Sequence, residues 1–368
     1  MAHFFVYPEK DATIVRGPVE SNDSSKKNTG LDEILEVGKT FQTFSTSFDK
    51  VARSLIQFDI STISASVSDG TIASGSKFYL NMYDAGASEL NRDQTLYAYA
   101  TSQSWDEGDG KFSDTPQGEN GVSWRYRTAD TGSQWGHIDS GSWGSTYFSG
   151  SEYTASQTFN KNDDIDMRMD VTNIVNHWIS GSISNEGFLI KRADIEETGS
   201  QYSGLFKFFS SDTHTVFQPR LEAVWDDSVW STGSLDSLTS SQIERLHIRL
   251  ENFRPVYKKG SLSTIRVKGR EQFPARTHSV TSSYQDVKTL PSGSSYYSIV
   301  DTKTDQVIIP FGTGSVISCD SEGNYFNLRT EGLEAERFYK VEFKIESGSG
   351  INKTVNYFDG DDAFKVER

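Results

Sequence analysis

Carboxylates and aromatic rings are the residues in this chain with the most chemistry to offer. Asp163, Asp164 and Asp166 cluster just ahead of Asp170. Asp106, Glu107 and Asp109 make a second acidic group, and Asp359, Asp361 and Asp362 a third. Calcium takes roughly six to eight oxygen ligands and suits loops between strands, so it is the cation such groups would hold. None of the three has the spacing of a known calcium loop. Acidic side chains also fill the solvent face of strands and turns. The candidate metal site is Asp163, Asp164 and Asp166, and no other cofactor is implied.

The rings lie elsewhere. Trp124, Trp135, Trp143 and Tyr147, with Phe148 and Tyr153 beyond, stand in a stretch rich in Gly, Ser and Asp. Rings on a loop can stack on sugars. The plainer reading is that they anchor a long loop to its own fold, since each buries much apolar area. Trp124, Trp135, Trp143 and Tyr147 are taken as candidate carbohydrate-binding residues. Trp105 and Trp178 are expected in the core.

Catalytic signatures are absent: there is no H-E-x-x-H, G-x-S-x-G, Walker A or strand-following G-x-G-x-x-G. His137 and Asp139 lie among serines with no third group to complete a triad. The chain is expected not to be an enzyme.

Charge points to partners. The net charge is −15 and the sequence pI about 4.9, which disfavours nucleic acid. One stretch opposes this sign. Arg245, Arg249, Arg254, Lys258, Lys259, Arg266, Lys268, Arg270 and Arg276 face only Glu244, Glu251 and Glu271 in the same interval. Arg245, Arg249, Arg254, Lys258 and Lys259 are the candidate docking residues for an acidic surface or another copy. Strand faces exposed to solvent carry such charges too. The single cysteine, Cys319, cannot form an internal disulfide. The opening residues do not read as a signal peptide, and no run is long enough to span a membrane. Synthesis in a cytoplasm is expected.

These residues are held by strands. Aromatics make up 12% of the 368 residues, mean hydropathy is −0.55, and long amphipathic helices are missing. Alternation marks strands at Arg53–Ile60, Lys77–Tyr83, Thr95–Ala100 and Asp164–Val171. Ile165, Met167, Met169 and Val171 fall on one side of the last. Thr172 then caps a short helix with Ile174, Val175 and Trp178 on one face. Gly181 ends it, and Asn185-Glu186-Gly187 turns the chain into Phe188-Leu189-Ile190.

The order of these marks resembles a known family. They are Asp11-Ala12-Thr13-Ile14, Asn28-Thr29-Gly30 before Leu35-Glu36-Val37-Gly38, Arg53-Ser54-Leu55-Ile56-Gln57-Phe58-Asp59, Trp105 with Glu107, Asp170-Val171-Thr172 with Trp178, Asn185-Glu186-Gly187-Phe188-Leu189-Ile190, and Pro219-Arg220-Leu221. Together they resemble the DNRLRE-type domain over residues 1 to about 227. The resemblance implies a jelly-roll β-sandwich akin to carbohydrate-binding modules, with an accessory, binding or structural role. The long 108–160 loop insertion departs from the compact family pattern.

Residues 228–241 are polar and without apolar period, and are expected to be a linker. Beyond them, 242–368 alternates repeatedly. Leu333-Glu334-Ala335-Glu336-Arg337-Phe338-Tyr339 is similar to the tyrosine corner of Greek-key sandwiches. The expected fold is therefore all-β: an N-terminal jelly-roll β-sandwich (1–227), then an immunoglobulin-like β-sandwich.

Two functions fit. The first is a bacteriophage virion structural protein, an appendage of neck, collar, tail or capsid surface. It would dock on other virion proteins and on copies of itself, and reside in the virion. The alternative is a lectin-like module that recognises cell-surface polysaccharide.

Overall fold

In a computed structural model, the structure describes all residues except 1, 17, 20–21, 24–25, 43–47, 89, 91, 115–119, 137–142, 161–164, 200–202, 274–286 and 349. The chain forms two compact units. One comprises Phe5–Asp69 and Lys77–Ala223; the other comprises Met1–Phe4, Gly70–Ser76 and Val224–Arg368. Both are built of strands. Among the described residues no helix is long and apolar enough to cross a membrane.

Among the described residues the amino-terminal unit carries two main sheets and two small two-stranded ones. The larger runs in the order Thr154–Phe159, Gln94–Ala100, Phe188–Arg192, Phe48–Phe58, Ile34–Gln42, Gly204–Phe209, and Pro8–Arg16 also pairs with Phe48–Phe58. The smaller has His3–Val6, Arg220–Val224, Lys77–Met82 and Met167–Asp170. Alternation does what the sequence requires of it. Met167 and Met169 are buried while Arg168 and Asp170 are exposed, and Met169 lies opposite Leu80. Phe188–Arg192 is buried throughout, so this central strand is covered on both faces.

The helix Thr172–Ile179 buries Ile174, Val175 and Trp178, and Trp178 packs 4.6 Å from the Phe188 ring. Its start differs from expectation. Asp170 Oδ1 accepts the Thr172 N–H at 3.0 Å. The Thr172 hydroxyl instead accepts the Phe78 N–H at 3.0 Å, tying helix to sheet. In the following turn, Asn185 donates to the Phe58 carbonyl at 2.8 Å. Gly187 has φ +88°, and a Cβ there would stand 2.4 Å from the Ile56 carbonyl oxygen. Only glycine fits.

The carboxy-terminal unit is a second sandwich. One sheet orders Leu246–Glu251, Leu262–Glu271, Gly323–Arg329 and Ser318–Asp320; the other Val256–Lys258, Thr354–Glu367, Arg337–Ser347, Ser295–Asp301 and Val307–Ile309. The first strand pairs with one sheet, and the short Val256–Lys258 runs parallel to the last strand in the other. This is an immunoglobulin-like arrangement. Tyr297 stacks on Phe326 at 4.3 Å in its core. The Tyr339 hydroxyl donates to the Glu334 carbonyl at 3.1 Å, which completes the tyrosine corner.

The 228–241 stretch is not a free tether. Val229 accepts the Cys319 N–H at 2.9 Å, and Ser231 donates to the Cys319 carbonyl at 2.9 Å. Leu238 is buried and donates to Thr289 at 2.9 Å. Its polar composition hides main-chain pairing that needs no apolar period. The chain divides after Ala223 rather than near 227.

Candidate functional site

The larger sheet presents Ala12, Ile14, Val51, Leu55 and Leu189 on its outward face. The long loop lies over them, packing Trp105, Val122, Trp124 and Trp135 into one buried cluster. The loop is held at both ends of this cover. The Asn28 side chain donates to the Glu107 and Val122 carbonyls at 2.5 and 2.8 Å and accepts the Gly110 N–H at 2.8 Å. The Trp105 indole N–H donates to Glu186 at 3.0 Å, and that of Trp135 to Ser123 at 3.0 Å. A Cβ on Gly30 would stand 2.6 Å from the Glu107 carbonyl oxygen, so the two loops meet only because residue 30 is glycine.

Charge is set into the same face. Arg53 lies 4.6 Å over Trp124, donates to Gly144 at 2.6 Å and pairs with Glu197 at 2.6 Å. The buried Lys191 pairs with Asp194 and, at 3.8 Å, with Glu197. Burial and the neighbouring Arg53 hold the Lys191 ammonium below the ordinary lysine range.

At one edge of this cluster Tyr99 is partly buried against it. Tyr97 and Tyr99 face outward on the Gln94–Ala100 strand. Their rings are 6.1 Å apart and within 24° of parallel. Tyr147 packs 4.4 Å from Tyr99, and Lys191 sits 5.5 Å over Tyr147. On the neighbouring strand Thr154, Ser156 and Thr158 stand opposite Tyr99, Tyr97 and Thr95, and the Thr95 and Thr158 hydroxyls are 2.9 Å apart. Burial pushes the Tyr99 phenol up to about 12, so it stays a neutral hydroxyl at physiological pH. Half-exposed rings bordered by hydroxyl groups can stack on a sugar ring and hydrogen-bond its substituents. A separate cleft of about 240 Å³ is lined by Thr13, Asp32, Glu36, Lys50 and Phe112, but its lysine is already paired with Glu36 at 2.7 Å.

Residues 3–143 match the family described as Carbohydrate-binding module family 96. This part of the chain is similar to a carbohydrate-binding module. The family is one of binding modules rather than catalysts. No curated protein matches the chain. A crystal structure of a DUF4785 family protein from Legionella pneumophila aligns with 100% of this chain and 62% of its own, at 8% identity and a TM-score of 0.20. The chain thus spans less than two thirds of that protein.

Within the module-like domain, the rings expected to bind sugar are largely inside. Trp124 and Trp135 are each 2% exposed, which leaves no ring face open; they anchor the loop. Trp143 and Tyr147 are half-buried against the same cluster, and Arg125 covers Trp143 at 4.7 Å. Of the expected metal ligands, Asp163 and Asp164 lie outside the described residues, as do His137 and Asp139. Asp166 accepts the Asp84 N–H at 2.8 Å. The docking cations Arg245, Arg249, Arg254, Lys258 and Lys259 are all exposed. They are split between two sheets, with Arg249 on Leu246–Glu251 and Lys258 on Val256–Lys258. Two other members of that basic run are neutralised: Arg266 by Asp320 and Glu322, and Lys268 by Glu251. The sequence reading gave Tyr97 and Tyr99 no part in a candidate site. The available signal was tyrosine at two successive outward positions, set against Thr-x-Ser-x-Thr in Thr154–Thr158.

Proposed function

We propose that the amino-terminal unit binds polysaccharide along the Tyr97–Tyr99 edge of its larger sheet, without catalysis. The observation that carries this is the nearly parallel, partly exposed Tyr97 and Tyr99 pair on the outward face of that strand. The family match over residues 3–143 supports the same reading. It favours the carbohydrate alternative over the virion reading, for which the comparisons offer nothing. The hydroxyls of Thr95, Thr154, Ser156 and Thr158 supply a polar border, and Tyr147 with Lys191 closes one end.

The test is affinity electrophoresis of the full chain through gels containing, in turn, plant, algal and bacterial polysaccharides. Retardation by at least one polymer, relieved by its oligosaccharides, is the expected result. Unchanged migration in all of them would remove the proposal.

A further inference from the structure

Leu246–Glu251 is the outer strand of the four-stranded sheet in the carboxy-terminal unit, and among the described residues no strand pairs with its far side. The Arg245 carbonyl accepts the Gln272 N–H at 2.7 Å. In the same register His247, Arg249 and Glu251 stand opposite Arg270, Lys268 and Arg266. Antiparallel pairing alternates. The main-chain groups of Arg245, His247, Arg249 and Glu251 therefore turn toward the sheet, and those of Leu246, Ile248 and Leu250 turn away from it. The side chains alternate as well: Leu246 and Leu250 are buried and Ile248 partly so, while His247 and Arg249 are exposed. Beside this edge lies a groove of about 480 Å³, lined from one sheet by Ile248 and Leu250 and from the other by Phe343, Tyr357 and Phe358.

An outer strand with free main-chain donors and acceptors is a template for another strand, unless proline, a bulge or an inward-pointing charge blunts it. This strand has none of the three: its inward positions are Leu, Ile and Leu, and its register is unbroken. We propose that two copies of the chain pair through this edge, antiparallel, about a two-fold axis at Ile248. Such a contact uses the same surface on both copies. Ile248 then bonds to Ile248 of the other copy, and Leu246 to Leu250, while the apolar side chains of each edge close the groove of the other. Charge selects the occupant. With the axis at Ile248, Arg245 of each copy faces Glu251 of the other, and His247 faces Arg249; no two acids and no two arginines are opposed. A uniformly acidic strand would meet Glu251, and a uniformly basic one Arg245 and Arg249. Glu251 also holds Lys268 at 3.4 Å, but its side chain is 44% exposed and has room for a second cation.

The experiment is sedimentation equilibrium of the full chain from low to high micromolar concentration. The wild type is expected to pass from a mass of 41.1 kDa toward twice that value as concentration rises. Ile248→Lys puts two like charges at the axis and should leave a monomer throughout. Arg245→Glu sets acid against acid at both ends of the contact and should raise the dissociation constant about tenfold or more. Adding Glu251→Arg to Arg245→Glu opposes unlike charges again and should recover most of the dimer. Within one copy the two residues lie about 20 Å apart along the strand, so only contact between copies explains such a rescue. Melting curves of each variant report its folding, and the exposed Arg245 covers the case in which Ile248→Lys does not fold. A wild type that remains a monomer throughout, or a dimer indifferent to both Ile248→Lys and Arg245→Glu, overturns the proposal.

Discussion

The guanidinium of Arg53 grips the carboxylate of Glu197, 144 positions away, through Nε at 3.1 and 3.2 Å and Nη2 at 2.6 Å. The two side chains are 11% and 4% exposed. The same guanidinium holds Gly144 and lies on Trp124, so one ion pair joins the sheet, the short Asp194–Thr198 helix and the loop. Breaking such a pair from one side leaves an uncompensated buried charge. Glu197→Gln is expected to lower stability by about 3–5 kcal/mol in urea denaturation, while Arg53→Met with Glu197→Leu recovers most of it. A loss of under about 1 kcal/mol for Glu197→Gln would place the pair with exposed ones.

Binding and stability should separate on different rings. Tyr97→Ala and Tyr99→Ala are expected to weaken polysaccharide binding about tenfold or more, equivalent to ~1.4 kcal/mol or more. Trp135→Ala should cost about 3–5 kcal/mol of stability through the cavity it leaves, with binding by the folded fraction unchanged. Isothermal titration and thermal melting of the same three variants tell the two effects apart. The reverse pattern would return the site to the loop tryptophans.

What was legible in the sequence follows from physics that is local. Met167, Met169 and Leu80 announce their inward face by period alone, and Tyr339 announces its corner by position. Four of the marks behind the resemblance, Asn28, Gly30, Trp105 and Glu107, pin the loop to the sheet, and Gly187 shapes the turn before Phe188. What was not legible depends on what covers a face. Trp124 and Tyr97 both read as aromatic residues in a polar setting. Which one is buried is decided by the path of a loop with few strands of its own, and no period encodes that path. The bond from the Ser211 N–H to the Asp11 carboxylate is likewise set by segments far apart in the chain.

The 228–241 stretch supplies a proteolysis prediction. Its Ser, Asp and Thr content suggests an exposed tether, yet Val229 and Ser231 bond to Cys319, and Leu238 bonds to Thr289. Protease cleavage requires local opening of such pairing. Limited proteolysis followed by mass spectrometry should find the bonds from Val229 to Leu238 intact at early times. Early cutting there, with two folded fragments left, would restore the tether.

Acid sensitivity of the carboxy-terminal unit should centre on Asp301. Its side chain is 3% exposed and accepts hydrogen bonds from Arg337 and from the Lys303 and Thr304 N–H groups at 2.8 and 3.1 Å. Burial alone pushes this carboxyl up, but the Arg337 guanidinium and the two backbone donors together outweigh it. They hold the carboxyl below its ordinary 3.8. The folded state therefore releases the proton more readily than the unfolded one. The stabilisation is complete above the unfolded value and is lost as pH falls through the lower folded value. Asp301→Asn imitates the protonated carboxyl and should be clearly less stable than the wild type at pH 7. From about pH 4 downward the gap should narrow, closing only once the pH has fallen through the lower folded value, because protonation removes from the wild type what the substitution removed already. Other titrating groups are common to both proteins and cancel in the difference. Melting curves of the pair from neutral to strongly acid pH give that difference directly, and a constant gap would show that Asp301 is not the group responsible.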